Sequence, residues 1–127
     1  MKKIYILLFS LVLMSCSLSK DNPLDPDNSG IDAPNTVSNI IVQRPVSGYV
    51  PISWDEVNQA SGYYIYRSQS YYGEYILHEE ISNSGITQYN DNKNYISGTF
   101  YYYILSAYKL IDDNKLEGTR SGKVTWR

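Results

Sequence analysis

The side chains able to do chemistry in this 127-residue chain are few: one cysteine, one histidine, some paired carboxylates and fourteen tyrosines. His78 is the single candidate for a general base, and a working base needs a nucleophile beside it and an acid to orient it. Glu79 and Glu80 are only its sequence neighbours, so a strand position flanked by charge reads more simply as a solvated sheet edge. One histidine and one cysteine cannot assemble a zinc site. The pairs Glu79-Glu80 and Asp112-Asp113 are adjacent, and adjacent strand residues face opposite ways, which is wrong for the facing carboxylates of glycoside hydrolysis. Ser61-Gly62 and Ser97-Gly98 precede strands rather than helices, so neither opens a phosphate loop. The expectation is a protein without catalytic activity, cofactor or metal. One metal alternative is calcium at Asp25, Asp27, Ser29 and Gly30, whose spacing opens an EF-hand-like loop, but the closing bidentate acid would fall at Thr36, which cannot serve.

Cys16 carries the firmest chemistry. It follows Met1-Lys2-Lys3 and the apolar run Ile4 to Met14. A charged start and a short apolar core form the pattern of a secretory signal, whereas a membrane span needs about 20 apolar residues. An amphipathic helix is the alternative, and Ile4-Tyr5-Ile6-Leu7-Leu8-Phe9 lacks the polar face it requires. Leu13-Met14-Ser15-Cys16 resembles the lipobox of bacterial lipoproteins. The resemblance implies removal of residues 1–15 and a diacylglyceryl thioether on Cys16, often with a further acyl chain on the new amino terminus. Lipidation accounts for the odd cysteine, since an unpaired thiol in an exported protein is otherwise a liability. Two or more acyl chains anchor stably where one is marginal. Ser17 stands where an aspartate commonly retains relatives at the inner membrane, so the resemblance implies the outer membrane of a bacterial cell envelope, with the lipid bilayer as a partner.

The elements that must position any further site begin after a tether. Residues 16–36 are rich in Pro, Asp, Asn and Gly and have almost nothing to bury, so they are not expected to fold alone. Fully extended, roughly 20 residues reach at most about 65 Å. The chain carries a formal charge of −2, made more acidic by loss of Lys2 and Lys3, and has no basic cluster to neutralise phosphates, which excludes nucleic acid. From residue 37 to 127 short strands alternate with glycine turns. The runs are Val37 to Val42, Val50 to Trp54, Tyr63 to Arg67, Tyr75 to Ile81, Thr87 to Tyr89, Phe100 to Tyr108 and Lys123 to Trp126. Seven short strands at this spacing predict an all-β antiparallel sandwich. Asp55 to Ala60 is long enough for a helical turn and no more.

The order of motifs resembles the fibronectin type III (immunoglobulin-like) domain of bacterial exported proteins. The likeness runs through Pro34, Ile52-Ser53-Trp54-Asp55, Gly62-Tyr63-Tyr64-Ile65-Tyr66-Arg67-Ser68, Thr87-Gln88-Tyr89-Asn90-Asp91, Gly98 to Ala107 and Ser121 to Val124. Departures are Tyr95, where a small aliphatic residue is usual, and the polar insertion Ile111 to Glu117, which lengthens the last hairpin. The resemblance implies a buried tyrosine corner at Tyr101, whose hydroxyl bonds nearby backbone.

Strand alternation sends Trp54, Tyr63, Ile65, Tyr103, Leu105 and Ala107 inward and Tyr64, Tyr66 and Tyr102 outward with Ile104. Tyr71, Tyr72 and Tyr75 extend that outer face. Two readings remain open. Rigid amphipathic rings make a recognition platform for a protein or glycan partner, or the facing tyrosines only stabilise the sheet of a structural spacer or envelope-assembly component, at about 0.2–1 kcal/mol per cross-strand pair.

Overall fold

The computed structural model describes residues 31–127. The signal segment, Cys16, the calcium-like residues Asp25 to Gly30 and most of the tether lie outside the described residues. Strands account for all the regular structure among them: β1 (Ile41–Val42), β2 (Val50–Ser53), β3 (Gly62–Ser68), β4 (Ile76–Ile81), β5 (Gln88–Asp91), β6 (Tyr102–Ile111) and β7 (Asn114–Glu117). They form two antiparallel sheets, ordered β1-β2-β5 and β4-β3-β6-β7. The architecture is the expected all-β sandwich.

Its core follows from period-two alternation. Val50 and Ile52 of β2, Tyr63 and Ile65 of β3, and Tyr103, Leu105 and Ala107 of β6 are all buried in one cluster with Trp54. Trp54 meets Tyr63 edge-on across the sandwich, ring centroids 5.3 Å apart. The Tyr63 hydroxyl accepts from Val57 N at 3.1 Å and donates to Ser84 O at 2.8 Å, so burying the ring strands no polar atom. Tyr101 behaves likewise: its hydroxyl accepts from Ile96 N at 2.9 Å and donates to Asn94 O at 3.4 Å.

Three segments differ from the sequence expectation. Val37 is buried in the core, but the first strand pairs only at Ile41–Val42. The last strand is split. β7 pairs with Tyr108 to Ile111 at the far end of β6, while Val124 makes an isolated bridge to Tyr103, with bonds of 2.8 and 2.9 Å. Between them the chain stays against β6, Gly118 N donating to Ala107 O and Ser121 N to Leu105 O, both at 2.8 Å, and a Cβ on Gly118 would lie 2.3 Å from the Pro34 carbonyl oxygen. The segment expected as a polar insertion therefore supplies β7. Its turn, Asp112-Asp113, has both φ angles positive (46° and 65°), the two-residue hairpin geometry that matches strand twist. Residues 55–60 close in a turn rather than a helical one, Ala60 N donating to Val57 O at 3.2 Å beside Gln59 at φ 63°.

Candidate functional site

β3 and β6 lie side by side, paired from Gly62 with Tyr108 to Ser68 with Tyr102. Tyr64, Tyr66, Tyr102, Ile104 and Tyr108 thus share the outer face. The five candidate tyrosines do not form one platform. They separate into two groups with no ring contact between them among the described residues.

Tyr64 and Tyr66 belong to a closed group. Their ring centroids are 6.2 Å apart, and Tyr64 packs at 4.7 Å on Tyr108. Tyr108 itself presses on Gly62, where a Cβ would lie 2.5 Å from its hydroxyl. Tyr66 is only 6% exposed, which corrects its reading as a solvent-facing ring. The cause is the split last strand: Glu117 ends β7 over this ring, and three residues on Arg120 lays its guanidinium 3.9 Å above it. Glu117 Oε1 accepts from the Tyr66 hydroxyl at 2.7 Å, Ser106 Oγ at 2.6 Å and Arg120 Nε at 3.1 Å. Burial together with the Glu117 hydrogen bond pushes the Tyr66 hydroxyl up to about 12. Burial by itself would raise Glu117, and the donors Ser106, Tyr66 and Arg120 reverse this and hold its carboxyl below the usual range.

Tyr71, Tyr72 and Tyr102 belong to an open group. Tyr72 meets Tyr71 at 4.9 Å, Tyr71 meets Tyr102 at 5.8 Å, Tyr102 meets Phe100 at 6.1 Å, and Phe100 stacks on Trp126 at 4.5 Å. The result is a continuous row of five rings running off the sheet onto the loop after β3. Tyr72 is 89% exposed and Phe100 49%, whereas Trp126 turns its other side into the core cluster. The Lys123 ammonium sits 4.6 Å from the centroid of Tyr71 and 5.5 Å from those of Tyr72 and Tyr75. Phe100 and Trp126 also line a shallow cleft of about 430 Å³ with Arg44, Pro45 and Arg127.

A second polar cluster lies inside the sandwich. Asp91, at the end of β5, is fully buried and accepts from Arg67 Nη1 at 3.1 Å and the Tyr103 hydroxyl at 2.6 Å, with His78 Nε2 at 2.6 Å. This overturns the reading of His78 as a solvated edge. The reason is a bulge: β4 pairs Glu79 with Ile65 and Leu77 with Tyr66, leaving His78 as the extra residue and turning its ring toward β5. Burial by itself would raise the Asp91 carboxyl, but the hydrogen bonds from His78 and Tyr103 and the Arg67 charge hold it below its usual range. Burial, with the Asp91 carboxylate adding to it against the opposing Arg67 charge, makes the Tyr103 hydroxyl much harder to ionise. Arg67 and His78 line an open cleft of about 320 Å³ with Ser68 and Glu74. The Ser68 hydroxyl is engaged with the Ser70 backbone at 2.8 and 3.1 Å, so this cleft presents no activated nucleophile. Asp91 ties β5 of one sheet to β3, β4 and β6 of the other.

Among solved structures the chain is similar to an Fn3-like protein from Clostridium thermocellum, with 26% identity and a TM-score of 0.58 over 76% of this chain and 91% of that one. The fold is fibronectin type III-like. The structure of "FN3tt mut" also aligns, with 18% identity and a TM-score of 0.48 over 75% of this chain and 93% of that one. No family model matches the sequence, and no curated protein does. The fold is that of a binding-module type of domain, and such sandwiches are generally non-catalytic.

Three parts of the open row on this Fn3-like sandwich escaped sequence reasoning. Phe100 carries a usable signal, since it lies two residues before Tyr102 and so shares its face. Trp126 and Lys123 carry none, because their placement depends on the Val124 bridge to Tyr103, a pairing distant in sequence.

Proposed function

We propose that this chain is a lipid-anchored lipoprotein of the bacterial cell envelope whose Fn3-like sandwich holds an extended glycan, without catalysis, along the row Tyr72-Tyr71-Tyr102-Phe100-Trp126. The observation that carries this reading is the unbroken run of ring contacts, with centroid steps of 4.9, 5.8, 6.1 and 4.5 Å, in which Tyr72, Tyr71 and Phe100 are exposed and the buried Trp126 backs the last step. A pyranose presents a flat C–H face that packs on an aromatic ring, and successive sugars of a polymer present such faces at intervals. Tyrosine and tryptophan contribute that area at low entropic cost, because few torsions are frozen. A small ligand would instead call for a deep cavity burying most of its surface. The lipobox at Cys16 and the Pro- and Asp-rich tether support the anchored half of the reading: they would attach the sandwich to the outer membrane and let it stand off the surface.

Two experiments test the two halves. Cys16→Ser should abolish palmitate labelling in cells and release the protein from membranes; continued labelling would remove the anchor. The full chain in uncharged detergent should bind members of a glycan array, and a Tyr71→Ala/Tyr102→Ala variant of unchanged circular dichroism should not. Equal binding by both, or none by either, would leave the rings as sheet stabilisers of a spacer.

A further inference from the structure

The chain is acidic overall, at −2, yet the aromatic row is flanked by positive charge. Arg67, Lys115 and Arg120 each meet a carboxylate, from Asp91, Glu80 and Glu117. Among the described residues the other five, Arg44, Lys93, Lys109, Lys123 and Arg127, meet no Asp or Glu side chain, and three of them, Lys123, Arg44 and Arg127, lie along the row and its clefts. Lys123 stands over Tyr71, Tyr72 and Tyr75 at one end of the row. Arg44 lines the Phe100–Trp126 cleft at the other end, its Nε donating at 2.6 Å to the main-chain oxygen of Arg127, the last residue of the sequence. The two cations also share an adjoining open cleft of about 650 Å³ between β1 and residues 123–127, and no acidic side chain lines either cleft.

We infer that the glycan held by this row is acidic, its sugars carrying carboxylates that pair with Lys123 and Arg44 while their C–H faces pack on the rings. The inference rests on the glycan reading above and adds the charge of the ligand to it. A cation over an aromatic face is positioned by the ring quadrupole, not neutralised, and an ammonium keeps N–H donors for an acceptor from solvent. Arg44 likewise has guanidinium donors beyond the one given to Arg127, in the planar arrangement that suits a carboxylate. An acidic peptide would satisfy the charges but leave the row of flat rings without complementary faces.

The test is calorimetry on the full chain in uncharged detergent with three probes: an oligogalacturonate, its fully methyl-esterified form and an oligoglutamate of matched charge. The acid sugar should bind about tenfold more tightly than its ester at low ionic strength, with the advantage shrinking as salt is added. A Lys123→Gln/Arg44→Gln variant should bind the acid sugar no better than the ester. Because the salt series uses the unaltered protein, a folding defect in the variant cannot hide a failure. Equal binding of acid and ester would overturn the inference while leaving the glycan reading intact. Oligoglutamate binding as tight as the acid sugar would mean that charge alone is recognised and would overturn it too. Absence of binding by either sugar form would overturn the inference, and would remove the glycan reading with it where no member of the glycan array binds.

Discussion

At the β7 end of the outer face Tyr66 is 6% exposed and its hydroxyl is given to Glu117; off the other end Tyr72 is 89% exposed and its ring is open to solvent. Both rings have a cation over them, Arg120 in one case and Lys123 in the other. The difference lies in what comes with the cation. Arg120 arrives beside Glu117, three residues earlier, and the pair closes the site by satisfying both charges. Lys123 brings no acid, so its site stays open to an acceptor from outside. Residue type therefore does not separate a structural tyrosine from a recognition tyrosine, whereas the completeness of its polar partners does.

That contrast can be broken by stability measurements, starting with the most enclosed group. Asp91→Ala should cost about 3 kcal/mol in urea unfolding, the low end for a broken buried pair, because Arg67 keeps the Lys93 carbonyl at 2.9 Å as an acceptor. Glu117→Ala should cost about 1–3 kcal/mol by leaving the Tyr66 and Ser106 hydroxyls without their acceptor, and should leave glycan binding untouched. Acid should act through the same carboxyls. Both are depressed, so their stabilisation is fully present above the ordinary carboxylate pKa of about 4 and drains away as pH falls below it. A Glu117→Gln variant should therefore lose less stability than the parent on acidification, read from unfolding midpoints between neutral and acid pH. Tyr66→Phe should cost about 1.5 kcal/mol, the low end for hydrogen bonds to charged groups, since the hydroxyl donates to Glu117 at 2.7 Å and accepts from Arg120 Nη2 at 3.1 Å. Tyr72→Ala should change stability by no more than about 0.5 kcal/mol and still weaken binding. If Tyr72 proved as costly to truncate as Glu117, the division into closed and open groups would fail.

Much of this fold was legible because the relevant signals are local. The alternation in Gly62–Ser68 and Tyr102–Ile111 correctly separates Tyr63, Ile65, Tyr103, Leu105 and Ala107 from the outer-face residues. Exposure was harder to read, since it depends on what lands on a face from elsewhere in the chain. Nothing around Tyr66 announces that Arg120, more than fifty residues later, will cover it. His78 is hidden for another reason: a one-residue bulge reverses the direction that alternation assigns to it, and bulges have no firm sequence signature. The deep burial of Asp91 is also a long-range property, needing donors from three strands of the opposite sheet.

The most direct test is an NMR titration of the labelled tyrosine, phenylalanine and tryptophan rings with the acid oligosaccharide. Shifts are expected at Tyr71, Tyr72, Phe100, Tyr102 and Trp126, with Tyr64, Tyr66 and Tyr108 unmoved. Shifts confined to the closed group, or none at all at saturating sugar, would contradict the proposed row.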